Sequence, residues 1–184
     1  YLSAMLEKEN IEHVICDAAA DNIGNEKLVS IVYEIQPEFV GITTNIAIIQ
    51  SAIYSAKIIK EHFPQIKIIM GGPWAHVNYE FLLKKKIADI VCFGEGEYTL
   101  ANIMKNYKDS LQDISQIERL AYFDGTKIIK TEKRQFIEDL DLLPFPNWKR
   151  FPLKKYQVNH RYSSFIPMMT VRGCPYNCIN CSKD

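Results

Sequence analysis

The sequence predicts an α/β fold of the flavodoxin or Rossmann-like class, a parallel sheet with flanking helices. Short β-rich apolar runs alternate along the chain with longer segments whose apolar residues recur every three or four positions, a pattern typical of amphipathic helices. Strands that alternate with helices form a parallel sheet with right-handed crossovers. The 184 residues are 47% hydrophobic and 24% charged, an ordinary globular composition and enough for one full domain and part of another.

The elements are assigned in chain order from these periodicities. Strands are predicted at residues 13–16, 39–42, 66–70 and 90–93. Helices are predicted at residues 1–10, 25–36, 46–62 and 77–86, and from the turn at residues 94–97 to about residue 107. Pro37 and Pro64 end the second and third helices, because proline has no amide hydrogen and its ring disfavours a helical neighbour.

After residue 107 the alternation of strands and helices fades. Asp124-Gly125 lies between two β-rich runs, which predicts a hairpin with a type I′ turn; the hairpin would add to the sheet edge or brace two domains. A stretch rich in proline and aromatic residues follows and is expected to pack on its neighbours. The predicted organisation is an α/β domain at residues 1–118, the hairpin at 119–131, an interdomain linker at 132–165 and the start of a further domain at 166–184.

The charge balance excludes some classes of partner. Lysine and arginine number 22, as do aspartate and glutamate, so the formal net charge is zero and no broad field for nucleic acid or membranes is expected. No apolar run approaches the ~20 residues of a membrane helix, and no signal peptide opens the chain. A cytoplasmic setting is therefore predicted.

Three of the five cysteines, Cys174, Cys178 and Cys181, are spaced C-x3-C-x2-C. Closely spaced thiolates of this kind hold iron–sulfur clusters, and three ligands on a four-iron cluster leave one iron open. A structural zinc site requires four ligands, and the nearest other candidate, His160, lies in the linker. An odd cysteine number disfavours a disulfide framework, and a Gly-Cys-Pro turn fits poorly with buried apolar cysteines. A cluster is favoured.

A second candidate site follows from the predicted sheet, because ligands of open parallel sheets lie outside the carboxyl ends of the strands. Glycines there let a ligand approach the backbone, and helix amides can receive polar groups. The residues at these ends, apart from Asp17 after the first run, are Thr43, Thr44, Asn45, Gly71, Gly72, Pro73, Gly94, Glu95, Gly96 and Glu97.

The cysteine segment, Arg-Gly-Cys-Pro-Tyr-Asn-Cys-Ile-Asn-Cys at residues 172–181, resembles the cluster loop of the radical S-adenosylmethionine superfamily. The preceding Ile-Pro-Met-Met-Thr-Val at 166–171 resembles the first strand of that family's barrel. The resemblance implies a [4Fe-4S] cluster on Cys174, Cys178 and Cys181, with S-adenosylmethionine on the fourth iron and Tyr176 flanking the site. Asn180 stands where the family usually has an aromatic residue that contacts the adenine side.

The N-terminal part resembles the cobalamin-binding domain that precedes many such barrels. The matching segments are Val-Gly-Ile-Thr-Thr at 40–44, Ile-Met-Gly-Gly-Pro at 69–73 and Ala-Asp-Ile-Val-Cys-Phe-Gly-Glu-Gly-Glu at 88–97. The resemblance implies that a slot for the corrin edge and the nucleotide tail is lined by Thr43, Thr44, Gly71, Gly72 and the turn from Gly94 to Glu97. The implied strand order is 2-1-3-4-5 with the first strand missing, so the chain is interpreted as a fragment of a longer protein.

Several residues near these motifs have simpler interpretations. His76, a conceivable cobalt ligand, is better explained as a polar loop histidine, and Trp74 is as well explained by core packing as by contact with a flat ligand. Glu95 and Glu97 are interpreted as structural or ligand-facing, because carboxylates are stabilised at a helix N-terminus. Cys16 is predicted to be buried core like Cys92.

The resemblances together imply the N-terminal part of a cobalamin-dependent radical S-adenosylmethionine enzyme. The implied reaction is reductive cleavage of S-adenosylmethionine with radical methyl transfer or cyclisation on an unknown small molecule, with an electron donor such as flavodoxin or ferredoxin. The chain alone is expected to be inactive, because a (β/α) barrel needs about 200 further residues. The alternative is a corrinoid carrier or sensor with a zinc or inert cysteine loop, or a flavodoxin-like domain without a corrinoid.

Overall fold

The computed structural model describes residues 1–107, 110–132, 135–156, 166, 168–174, 176, 178 and 179. Within these residues the sheet has five strands, in the order β1-β2-β3-β4-β5. They are β1 (Phe39–Thr43), β2 (Lys67–Gly71), β3 (Ile90–Cys92), β4 (Leu120–Phe123) and β5 (Ile128–Lys130). The first three strands are parallel, and the last two run antiparallel. The predicted α/β class is confirmed, with a mixed sheet.

Among the described residues, six α-helices connect and flank the strands. They are α1 (Leu2–Lys8), α2 (Asn25–Ile35), α3 (Ile49–His62), α4 (Pro73–Val77), α5 (Tyr79–Lys84) and α6 (Gly96–Asn106). The helix predicted at 77–86 is replaced by α4 and α5, which meet at Asn78. Pro73 is the first residue of α4, a position where the fixed φ of proline favours a helix and its missing amide costs nothing.

The core lies on both faces of the three parallel strands. Ile68, Met70 and Val91 belong to one buried cluster, while Ile69 and Ile90 belong to the cluster on the other face. Neighbouring strand residues point to opposite faces, so strands covered on both sides consist of continuous apolar runs. This explains why β2 and β3 were predictable from their composition.

The predicted hairpin joins the sheet edge, as β4 pairs antiparallel with β3. The turn type was wrong, because only Gly125 of the two central residues has a positive φ, +102°, whereas type I′ needs positive φ at both. The carboxylate of Asp124 closes the turn instead, accepting hydrogen bonds from the Thr126 amide and hydroxyl and from the Lys127 amide. These hydrogen bonds lower the pKa of Asp124.

The strand predicted at residues 13–16 is not part of the described sheet. Burial nevertheless alternates from residue 11 to residue 17, as in a strand with one covered face. The prediction that Cys16 is core was wrong, because its thiol lies on the exposed side. An extended segment needs a neighbouring ladder to become a strand, and among the described strands β1 pairs only with β2.

The described part of the linker, at residues 135–156, packs against the α/β domain, as predicted. Leu143 is buried with Met5 of α1 and Ala101 of α6. Arg150 donates to the carbonyl of His13 at 3.0 Å, and the Tyr156 hydroxyl donates to the Asp17 carboxylate. These two hydrogen bonds connect the segment at residues 11–17 to the linker.

Of the segment predicted as a barrel strand, residues 166 and 168–171 are described and are exposed outside the sheet. The start of a barrel and the predicted domain boundaries remain predictions. Among the described helices, none combines the length and apolarity needed to cross a membrane.

Candidate functional site

The carboxyl ends of β1, β2 and β3 meet at one edge of the sheet, here called the carboxyl edge. At the β1 end, Thr43 and Asn45 are exposed. The Asn45 side-chain oxygen accepts hydrogen bonds from the amides of Ala47, at 2.8 Å, and Ile48, at 3.2 Å. This turn leaves the Ile46 side chain 83% exposed. A large apolar side chain and a hydroxyl residue are therefore both exposed at this end of the edge.

Thr44 has the opposite environment, since it is fully buried. Its hydroxyl donates to the Gly71 carbonyl at 2.9 Å and accepts from the Ala75 amide at 2.9 Å. The Thr44 amide also donates to the Gly71 carbonyl, at 2.8 Å. The hydroxyl thus donates one hydrogen bond and accepts another within the protein. Thr44 therefore links the turn after β1 to the turn after β2.

Gly72 makes that junction sterically possible. Its φ is +103°, and a Cβ atom there would lie 2.3 Å from the Thr44 carbonyl oxygen. The positive φ and the close approach to the carbonyl oxygen both exclude a side chain at this position. Gly71 is half-buried beside it, and Pro73 is exposed at the start of α4.

Trp74 and His76, next along α4, face protein. Trp74 packs against the main core cluster and meets the Phe81 ring edge-on at 6.3 Å between centroids. The half-buried His76 ring lies 5.2 Å from the Phe93 ring in an edge contact. The Trp74 contacts agree with its interpretation as core packing, whereas His76, interpreted as a polar loop histidine, lies inside α4 with its ring against Phe93.

At the β3 end, the turn begins at Gly94, which is exposed with a φ of +58°. Glu95 is the N-cap residue of α6, and Gly96 and Glu97 open that helix. Gly96 faces α1, because a Cβ atom there would lie 3.3 Å from Leu2 Cδ2. Glu97 is buried. At this end of the carboxyl edge, Gly96 and Glu97 therefore face the protein.

Arg172 lies between the two carboxylates of this turn. Its Nη2 is 2.6 Å from Glu97 Oε1, and its Nη1 is 3.4 Å from Glu95 Oε1. The other oxygen of Glu95 accepts a hydrogen bond from the Ile137 amide at 2.7 Å. Partial burial lowers the pKa of Arg172, but the hydrogen bonds and charges of Glu97 and Glu95 raise it more, so the net shift is upward. The arginine is a permanent cation in this cluster.

Arg172 is part of the cysteine motif, but the motif by itself assigned no role to this residue. Its guanidinium also lies over the Tyr1 ring, 5.0 Å from the centroid, and the Tyr1 hydroxyl donates to the Met169 carbonyl at 3.0 Å. The available signal was an arginine two residues before the first loop cysteine, together with two acidic residues in the turn after a strand. Nothing in the sequence indicates that the two segments meet.

The cysteine loop is exposed where the structure describes it. Cys174 and Cys178 are exposed, and Tyr176 is 70% exposed. Cys181 lies outside the described residues, as do Asn177 and Asn180. Within the described part of the chain, no group of three His, Cys, Asp or Glu side chains is arranged to hold a metal ion. The predicted cysteine trio and the predicted role of Tyr176 therefore remain predictions.

The fold and this edge are those of open α/β domains that bind ligands outside the carboxyl ends of their strands. The B12 binding domain family matches residues 1–104. The chain therefore belongs to the B12-binding domain family.

Two curated relatives match along the whole chain. An uncharacterized methyltransferase of Pyrococcus horikoshii is 29% identical over 184 residues, which cover 100% of this chain and 39% of the relative. The anaerobic magnesium-protoporphyrin IX monomethyl ester cyclase of Cereibacter sphaeroides is 31% identical over 190 residues, covering 100% of this chain and 30% of the relative. The chain thus spans well under half the length of these proteins.

A solved structure has the same fold. The cobalamin-dependent S-adenosylmethionine radical enzyme OxsB with aqua-cobalamin bound superposes with a TM-score of 0.62 and 19% sequence identity, covering 73% of this chain and 19% of that chain. With the family match, these relatives confirm the predicted resemblance to cobalamin-binding radical S-adenosylmethionine proteins.

Proposed function

We propose that this chain binds a cobalamin against the β1 side of its carboxyl edge. The observation that carries the proposal is the family match over residues 1–104, which includes every strand that forms this edge. Thr43, Asn45 and Ile46 form the open part of the edge, beside the turn at Gly72 and Pro73.

The chemistry of these residues fits a corrinoid. A corrin is large, flat and mostly apolar, with amide groups around its rim, so it needs both apolar contact and hydrogen-bonding groups. Ile46 supplies exposed apolar surface, and Thr43 supplies an exposed hydroxyl. Binding sites combine apolar lining with a few placed polar groups in this way. Thr44 and Gly72 shape the edge, since the Thr44 hydroxyl is already satisfied by the protein.

We propose further that Cys174, Cys178 and Cys181 hold a [4Fe-4S] cluster beside which S-adenosylmethionine binds. Such a cluster supplies the electron for reductive cleavage of S-adenosylmethionine, leading to radical methyl transfer or cyclisation on a small-molecule substrate. The exposed thiols of Cys174 and Cys178 are soft ligands of the kind that iron–sulfur clusters take. The chain's own contribution is to hold the thiols beside the sheet edge. An external donor such as flavodoxin or ferredoxin would reduce the cluster.

Cobalamin binding is tested by mixing the chain with hydroxocobalamin and separating free from bound corrinoid by gel filtration. We expect close to one equivalent of corrin absorbance to elute with the protein. Elution of the protein without corrin absorbance, with its circular dichroism spectrum intact, would overturn the proposal and favour a flavodoxin-like domain that binds no corrinoid.

Cluster binding is tested separately by anaerobic reconstitution with iron and sulfide. We expect about four iron and four sulfide ions per chain, and loss of both in the C174A, C178A and C181A variants. The C16A variant is the matched control, because Cys16 is also exposed but lies outside the loop. Zinc without sulfide would contradict the cluster and favour a corrinoid carrier or sensor.

A further inference from the structure

Arg172 connects two parts of the chain that are far apart in sequence. It lies two residues before Cys174, whereas its partners Glu95 and Glu97 lie in the turn after β3. The side chains of all three residues are largely buried, with 14%, 10% and 7% exposure respectively. An ion pair this far out of water differs from the surface pairs that contribute little.

Removing one member of such a cluster leaves buried charge behind. Glu97 Oε1 is held by Arg172, while Glu97 Oε2 is buried with no hydrogen-bond partner among the described residues. Loss of the arginine would therefore strand a carboxylate with little compensation, which is costly in a poorly solvated site. The conformation in which Arg172 is paired with the turn is therefore strongly favoured over one in which Arg172 is released.

The geometry on either side of Arg172 extends the contact. The guanidinium stacks on the Tyr1 ring, and Tyr1 in turn donates to the carbonyl of Met169, three residues before Arg172. Gly173 then turns the chain with a φ of +81°, and Cys174 follows. Backbone and side-chain contacts thus converge on the residues just before the first loop cysteine.

We propose that Arg172 is a positioning residue that docks the cysteine loop onto the carboxyl edge through Glu95 and Glu97. This docking would set the distance between the cluster and the corrin, and that consequence rests on the proposed function. The docking itself does not. In this proposal the two glutamates hold the cysteine loop, and the β1 side of the carboxyl edge is left to contact the ligand.

Hydrogen–deuterium exchange on the cofactor-free chain tests the docking directly. We expect the R172A variant to exchange about tenfold faster at residues 168–174 and at the turn of residues 94–97, with little change in α2 and α3, because local contacts govern local opening. E97A should give the same pattern, and the double variant should add little to either single variant.

Two variants separate docking from general destabilisation. R172K should restore part of the protection, because lysine keeps the charge but lacks the two-pronged geometry. R150A is the matched control, since the Arg150 side chain is more exposed and its Nη2 lies 3.9 Å from Glu7 Oε1. This variant should leave the exchange rates of residues 168–174 unchanged. Unchanged exchange in R172A, or a rise spread evenly over the whole chain, would overturn the proposal.

Hydroxocobalamin binding distinguishes this proposal from the proposed function. If the chain fails to bind the corrinoid but R172A still releases residues 168–174, the docking stands and the function falls. If the corrinoid binds equally well to wild type and R172A while exchange is unchanged, the function stands and the docking falls.

Discussion

The β1 end and the β3 end of the carboxyl edge carry similar polar turns but have opposite environments. At the β1 end, Thr43 and Asn45 are exposed and Ile46 is 83% exposed. At the β3 end, Glu97 is buried and is paired with Arg172 from the cysteine segment. One end is open to a ligand, and the other is covered by the chain itself.

The comparison shows that a polar residue at a strand end does not by itself indicate ligand contact. Thr43 and Thr44 are neighbours of the same type, yet the first is exposed and the second is fully buried. Side chains at a strand end alternate in direction, so one of two adjacent polar residues faces inward and must be satisfied there. Mutations at these positions should therefore separate stability from binding.

The largest effect is expected for Gly72→Ala. The positive φ and the 2.3 Å approach to the Thr44 carbonyl oxygen force the junction apart, so the free energy of unfolding should fall by about 3 kcal/mol. Gly41→Ala is the control, because a Cβ atom there meets nothing within 4 Å, and should change stability by no more than about 0.5 kcal/mol. Urea denaturation midpoints measure both. Equal midpoints for the two variants would show that the junction tolerates a side chain.

Thr44→Val should destabilise the protein by about 2 kcal/mol, because it removes the hydroxyl that accepts from the Ala75 amide and leaves that buried amide unpaired. Thr43→Val changes the same atoms at the exposed neighbour and should be close to neutral. Both free energies of unfolding come from urea titrations. A similar loss in the two variants would refute the difference in environment.

Cys92, the last residue of β3, should make the protein sensitive to alkaline pH. Burial raises the pKa of the Cys92 thiol from an ordinary value of 9.0 to about 12. Above pH 9 the thiol ionises in the unfolded state but stays protonated in the folded state, so stability is complete below pH 9 and is lost as the pH rises towards 12.

Between pH 8 and pH 10 this loss should be about 1 kcal/mol, because pH 10 is one pH unit above the ordinary pKa of 9.0. Cys92→Ala should show a correspondingly shallower fall in free energy of unfolding over the same pH range, although it is less stable at pH 8. Parallel curves for wild type and variant would contradict the burial argument. Comparison with the variant removes the contribution of other titrating groups.

The smallest effect is expected at the open end. Ile46→Lys should weaken hydroxocobalamin binding about fivefold, equivalent to about 1 kcal/mol, by removing apolar contact, and should leave stability unchanged. Ile35→Lys is matched in residue type and is also exposed, at 43%, but it ends α2 on the far side of β1 from the carboxyl edge. Equal affinities of the two variants in a spectrophotometric titration would place the corrinoid elsewhere.

Much of the fold was predictable because local patterns and tertiary structure agree. The apolar runs of β2 and β3 are buried on both faces, and the stripe of α2 at Leu28 and Val32 faces the core. The segment at 13–16 carries a strand pattern too, but a strand also needs a partner. A short helix that begins with proline, as α4 does at Pro73, has the same composition as a loop, so α4 was not predicted.

The candidate site was less predictable, for a specific reason. Its residue types were identified from their place after each strand, but their orientation was not. Glu95 and Glu97 were interpreted as structural or ligand-facing, and only their distance to Arg172 shows that the protein itself supplies the partner. A contact between residues 75 positions apart depends on how the linker folds back, which no local pattern encodes.

The sequence by itself determined the alternation of strands and helices, the B12-binding family and the position of the cysteine motif, because each depends on residues near one another in the chain. Only the tertiary structure decided which strand-end side chains face solvent and which are used internally. That difference depends on burial and on charges brought together across the sheet. These are properties of the packed chain, and adjacent residues with the same side chain, Thr43 and Thr44, differ in them completely.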